Sequence, residues 1–224
     1  MKVLRLGALG LVLLSAPGCW HWPARDLPPL TVARIEPGSI VDAFAQRLPD
    51  PLHVVNTATF EFGWQSLTVL GVTTVDAARG TFAVVGVYPA GGVKLFEVAG
   101  DRASIGHSFA QPQVLERGDL PSAVAEDTRR IYLDRVPSRD AAASVDGGVL
   151  RFRQAAGAGE LEYVFAGAEA ALVEKSYREN RREVWKVRYD DYREQGGKLY
   201  AGTIVLEDER FDYRLTLHLK EIPS

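Results

Sequence analysis

The sequence predicts a mainly β (α+β) fold, a curved and incomplete antiparallel β-barrel of about eleven strands with helices covering its concave side. Three observations carry this expectation. Period-2 alternation recurs along most of the chain and is clearest near its end. There Phe211, Tyr213, Leu215, Leu217 and Leu219 alternate with Asp212, Arg214, Thr216, His218 and Lys220. Short Gly-containing turns separate these stretches at hairpin spacing. Only two segments, residues 39–48 and 119–133, carry a helical pattern. A long antiparallel sheet with one apolar face must twist, and curling is how it buries that face.

The chain opens MKVLRLGALGLVLLSAPGCW. Lys2 and Arg5 precede an apolar run, Leu6 to Leu14, followed by the small residues Ala16, Pro17 and Gly18 and by the single cysteine, Cys19. This is the layout of a cleavable secretory signal, and the run is too short to span about 30 Å of hydrocarbon. Residues 1–18 are therefore read as a signal peptide. Residues 19–38 hold four prolines after the cysteine and no sustained period, and are read as a tether. Residues 39–224 are read as one domain.

Ser39, with Asp42 three residues on, is the expected cap of a first helix, whose Ile40, Val41, Phe44 and Leu48 share a face. Pro49 and Pro51 end it. Strands are then expected over residues 52–62, 64–75, 81–88, 93–98 and 102–107, rich in Val, Thr and aromatics. Asp119 is the expected cap of a second helix with Pro121 in its first turn and an apolar stripe that Asp127 interrupts. Residues 139–148 read as a polar loop. Six strands complete the pattern, over residues 149–153, 160–166, 171–177, 183–190, 199–207 and 211–219.

Composition narrows function. The formal charge of −3 argues against nucleic-acid partners, which need a basic face. The histidines His21, His53, His107 and His218 are scattered, so no metal site is expected. No G-x-S-x-G, H-E-x-x-H or P-loop pattern occurs. The acidic pairs Asp190–Asp191 and Glu207–Glu209 fall at strand ends and turns. The expectation is a non-enzymatic protein without cofactor. What stands out is the apolar content of the strands: Phe60, Phe62, Phe152, Tyr163, Phe165, Trp185, Val187, Tyr189, Tyr213, Leu215 and Leu217 all fall on expected inward positions. They can form a filled core or line a hydrophobic cavity, because an apolar ligand site is an incompletely filled core.

Small residues followed by Cys19 resemble the lipobox of bacterial lipoproteins. The resemblance implies cleavage before Cys19 and acylation of its thiol and amine, hence anchoring to a membrane through the lipidated cysteine. Trp20 stands where an inner-membrane retention signal would place Asp, which by the same resemblance implies the outer membrane. The strand-rich remainder resembles the fold shared by LolA and LolB, periplasmic carrier and outer-membrane receptor of lipoproteins. The likeness is strongest at WKVRYDDY (residues 185–192) and the two alternating strands after it. The segments PAGGVKLF (89–96) and RIYLD (130–134) are similar to those of a family of bacterial outer-membrane lipoproteins often encoded beside aryl-polyene or fatty-acid-like synthesis genes. These resemblances imply an outer-membrane lipoprotein facing the periplasm that binds a lipid, an acyl or polyene chain or a lipidated protein, with a periplasmic carrier or exporter as partner. A scaffold lipoprotein acting through protein contacts is the alternative. LolB-type receptors carry an exposed apolar residue on the loop matching residues 89–92. Here only Ala90 occupies that place.

Overall fold

The computed structural model describes residues 27–31, 35–116 and 119–222; Cys19 and the signal segment lie outside them. The described chain forms one antiparallel sheet of twelve strands. They are β1 (Leu52–Phe62), β2 (Gln65–Asp76), β3 (Thr81–Val87), β4 (Lys94–Asp101), β5 (Ile105–Ala110), β6 (Ala142–Asp146), β7 (Val149–Ala156), β8 (Gly159–Ala166), β9 (Ala171–Glu179), β10 (Arg182–Gln195), β11 (Lys198–Asp208) and β12 (Tyr213–Glu221). The order β5-β4-β3-β2-β1-β12-β11-β10-β9-β8-β7-β6 describes two meanders joined at their chain ends by the β1–β12 pairing. β5 and β6 are the free edges, so the sheet curls without closing.

The count is twelve, one more than expected, because residues 142–146 form an edge strand and not a loop. All five of its residues are exposed and it pairs only with β7, so neither face imposes alternation on its sequence. A second difference concerns α1 (Pro37–Arg47), which starts two residues early. Pro37 supplies a preset φ at the first helical position, and Glu36 is the cap residue, although its side chain does not cap the helix. Ser39 therefore lies inside the first turn, where its hydroxyl reaches the Glu36 carboxylate at 3.4 Å. Asp119 does cap the second helix, accepting from the Ser122 amide at 3.2 Å. That helix, α3 (Leu120–Thr128), follows the short α2 (Pro112–Leu115) and continues as a π-helical turn, Arg129–Leu133.

Strand alternation sorts the side chains as expected. Ala58, Phe60 and Phe62 of β1 face Leu217, Leu215 and Tyr213 of β12 across the seam. Val187 and Tyr189 of β10 face Leu206 and Ile204 of β11. This apolar side packs against α1, α3 and the π turn as one continuous core. Phe165 is fully buried. Its ring meets Phe44 of α1 edge-on at 5.4 Å and Phe152 of β7 at 5.7 Å. The opposite face is polar. Arg214 meets Glu207 at 2.7 Å, and Arg188 lies 3.8 Å from Glu174 and 3.7 Å from Glu207.

Two expectations at the chain's edges are revised. Phe211 is not the first residue of the inward row; it sits in the β11–β12 turn and is 64% exposed. Trp64, in the adjacent β1–β2 turn, is 92% exposed. The described part of the segment read as tether is docked: the Leu30 amide donates to the Gly148 carbonyl and the Gly167 amide to the Pro28 carbonyl, each at 2.9 Å. Leu27 packs with Val149, Val164 and Ala166 on the outward face of the sheet.

The three-ring contact makes a prediction. Phe165→Ala opens a cavity between α1 and β7–β8 and should lower stability by about 3–5 kcal/mol, read from urea unfolding. Phe44→Ala in the same protein should add much less than it does alone, since both remove one contact. Simple additivity would show that the rings are not coupled.

Candidate functional site

A cavity of about 40 Å³ lies between the first meander and the α3 segment. Its sheet wall is Asn56, Ala58, Phe60, Val69, Gly71, Thr73, Val84 and Phe96, with Leu215 and Leu217 from β12. Its helical wall is Val124, Asp127, Thr128, Ile131 and Tyr132. The space exists because this part of the sheet carries small inward residues. Gly86 is occupied in another way: a Cβ there would come within 2.3 Å of the Phe96 ring, which lies against the bare backbone.

The sequence-predicted site residues divide. Phe60, Leu215 and Leu217 line the cavity. Phe62 and Tyr213 stand half-buried at the adjoining strand ends, paired across the seam. Phe152, Tyr163, Phe165, Trp185, Val187 and Tyr189 are buried in the core of the second meander and do not reach the cavity. Trp185 stacks on Tyr177 at 5.9 Å. The exposed apolar groups at the 89–92 loop are its flanks, Tyr88 and Val93, 50% and 54% exposed.

Sequence reasoning missed the polar groups that hold the α3 segment to the sheet. Arg130 donates to the buried Asp208 carboxylate at 2.7 Å and also pairs with Glu126. Its guanidinium lies over the Trp185 ring at 5.3 Å. Lys175, 2% exposed, donates to the Arg130 carbonyl at 3.0 Å. The Tyr189 hydroxyl donates to the Ile131 carbonyl at 2.7 Å. A π turn leaves carbonyls outside the regular helical ladder, and these two sheet side chains take them. Burial draws Lys175 down to about 8, helped by the charges of Arg135, Arg130 and Arg102 and opposed by Asp134. Arg130 is raised: burial works against its charge, and Asp208, Glu126 and Asp127 outweigh it.

Asp127 is the residue that interrupts the apolar stripe of α3. That interruption was its only sequence signal. It is 2% exposed, and one carboxylate oxygen accepts from the Tyr213 hydroxyl at 2.5 Å. The other, Oδ2, has no hydrogen-bond partner. Burial pushes the carboxyl up to about 7, against the Tyr213 hydrogen bond and the charge of Arg130. Asn56, 4% exposed on the opposite wall, interacts through its side chain with the Tyr132 hydroxyl. Among the described residues no group of three His, Cys, Asp or Glu side chains could hold a metal, and no helix is long and apolar enough to cross a membrane.

The Asp127 environment predicts a pH dependence. Folded, the carboxyl holds its proton to about pH 7, whereas an unfolded aspartate loses it near about 3.9. Between these values the folded state binds the extra proton, so this group's contribution to stability falls as pH rises and levels off above about 7. At about 1.4 kcal/mol per pH unit the span is on the order of 4 kcal/mol. Asp127→Asn should abolish that slope. The stability difference between wild type and variant, measured by urea unfolding from about pH 4 to 8, should therefore decline with pH up to about 7 and then level off; a constant difference would refute the assignment.

No protein-family model matches the sequence, and no curated protein matches it. Solved structures do. The LolA superfamily protein NE2245 from Nitrosomonas europaea aligns over 84% of this chain and 93% of its own, with TM-score 0.52 at 10% identity. A putative outer membrane lipoprotein-sorting protein domain from Vibrio parahaemolyticus aligns over 83% and 90%, with TM-score 0.52 at 9% identity. At such identity the likeness concerns architecture alone: these two proteins share the unclosed antiparallel sheet with its few helices.

Proposed function

We propose that the protein is a non-enzymatic lipoprotein of the outer membrane, anchored through acylated Cys19 and facing the periplasm. In this reading it holds a hydrophobic ligand, a lipid, an acyl or polyene chain or a lipidated protein, for transport or localisation. The observation that supports it best is the largely apolar cavity between the curled sheet and a short helix that ends in an irregular turn. The architecture shared with a lipoprotein-sorting domain agrees with it.

Energetics set the terms. Burying each acyl methylene yields about 0.8 kcal/mol, so ten would offset much of the roughly 4–15 kcal/mol that association costs. A cavity of about 40 Å³ admits the end of such a chain. Deeper entry requires the α3 segment to move off the sheet, exchanging its own apolar contacts for those of the ligand. The same small volume favours the second reading, a scaffold whose core is filled by its own side chains and which acts through protein contacts.

Three variants separate the readings. Leu215→Glu puts a charge into the cavity wall and should abolish binding of a fluorescent fatty-acyl probe. Ala58→Leu fills the space with carbon and should also abolish binding while leaving the protein folded by circular dichroism. Arg214→Gln, on the outward face of β12, should leave binding within about twofold of wild type. Equal binding by Ala58→Leu and wild type would remove the cavity as ligand site, and no binding by wild type would favour the scaffold.

Anchoring has its own test. Cys19→Ser should lose metabolic fatty-acid labelling and accumulate as uncleaved precursor, and the wild-type protein should fractionate with the outer membrane. Undiminished labelling of the variant would refute the anchor.

A further inference from the structure

One wall position of the cavity is bare. Phe96, Gly86, Gly71, Asn56 and Leu219 stand in a row across β4, β3, β2, β1 and β12, all of them buried on the inward side of the sheet. The two glycines of this row differ. Gly86 is required by the fold: the Phe96 ring lies on it, where a Cβ would come within 2.3 Å. Gly71 answers no such need. Its backbone is not left-handed, and a Cβ there would meet nothing nearer than the Asn56 carbonyl oxygen at 3.8 Å, an ordinary contact. A glycine inside a strand weakens it, and it often marks a bulge or a place where another backbone or a ligand comes close. The pairing of β2 with β1 and with β3 runs through Gly71 without a register shift, so there is no bulge. No other backbone approaches it closely. A ligand is the reason that is left.

We propose that Gly71 is a specificity-determining residue of the cavity: the slot above it seats the last carbons of an unbranched alkyl chain and excludes a chain that branches at its end. This deepens the carrier reading and rests on it. Along the row the slot is bounded by the Phe96 ring and by Asn56, whose side chain reaches the Tyr132 hydroxyl on the helical wall. One bare position leaves a gap about one strand spacing across, roughly 4.8 Å. Carbon atoms pack at about 3.5–4.0 Å, so the gap takes one file of carbons and not two abreast. A terminal branch sets two methyl groups side by side, and the second has to displace Phe96 or the Asn56–Tyr132 pair. The volume agrees: a site for one water needs about 10–15 Å³, so 40 Å³ takes a few methylene-sized groups in file. No lining residue is cationic, so the hydrocarbon end of an amphiphile enters and its acidic head stays outside.

The test compares radiolabelled palmitate with its isomer 14-methylpentadecanoate, each below its aggregation concentration, by equilibrium dialysis. The two acids share a head and a carbon number and differ only at the chain end. Wild type should bind palmitate about tenfold more tightly, the scale on which a pocket resolves one methyl group. Gly71→Ala should weaken palmitate by about the same factor. Its urea unfolding midpoint should stay at or above that of wild type, because the added methyl meets only free space and alanine has less freedom to lose on folding. The isomer comparison uses wild type alone and tests the slot independently of the variant. Equal wild-type affinity for the two isomers, or undiminished palmitate binding by Gly71→Ala, would overturn the slot and leave the carrier intact. A lower midpoint in Gly71→Ala would show that the fold itself needs the glycine and would overturn the slot as well. No binding of either acid by wild type would overturn both slot and carrier.

Discussion

Five hydrogen bonds between the sheet and the segment 127–131 decide how the concave side is covered, one of them from Arg129 to the Asp101 carbonyl at the end of β4. Tyr213, at the start of β12, holds Asp127, while Asp208, at the end of β11, holds Arg130. Lys175 and Tyr189, from β9 and β10, hold the carbonyls of residues 130 and 131. A neutral buried bond contributes about 0.5–1.5 kcal/mol and one to a charged group about 1.5–3. Their larger effect is positional. Apolar burial alone does not distinguish one rotation of a short helix from another, whereas displaced polar partners would be left unpaired in a low-dielectric interior. The segment is thereby pinned at its C-terminal end, while its N-terminal end has the Asp119 cap. Any opening of the cover therefore pivots about residues 127–131.

The two meanders treat the same concavity differently. In the second, Phe152, Tyr163, Phe165, Trp185 and Tyr189 fill the space down to the helices. In the first, Ala58, Val69, Gly71 and Val84 leave a gap beneath α3 that even Phe96, lying on Gly86, does not fill. Bulk on one side fixes the curl of the sheet, and small side chains on the other leave room within it. The fold is thus rigid where it is aromatic and accommodating where it is not.

How much of this was legible in the sequence follows from which features are local. Alternation in residues 211–219 and 185–189 located β12 and β10 and sorted Arg188 and Arg214 to the outward face, because one-sided burial writes a period of two into the chain. β6 was illegible for the converse reason: both of its faces are wet. The π turn was illegible because it depends on Lys175 and Tyr189, some 45 and 58 residues away along the chain. Eleven apolar residues were read as one candidate site, and three line the cavity, because inward direction can be read from alternation and local packing density cannot. Asp127 was visible only as a flaw in an amphipathic stripe, because its partner, the Tyr213 hydroxyl, lies 86 residues away along the chain.

The seam between β1 and β12 also governs the order of assembly. Each meander is built from hairpins between neighbouring strands, which close short loops and form early. The central contact, Val55 with Glu221 through Phe62 with Tyr213, spans almost the whole folded chain. During synthesis the two halves can therefore curl separately, but the strands at their junction stay unpaired until residues 213–221 arrive. In that interval β1 presents an open edge of Val54, Ala58 and Phe60, the kind of surface that recruits other chains. A truncation that removes β12 would accordingly yield an aggregation-prone species, because it deletes the strand that protects the middle of the sheet rather than its margin.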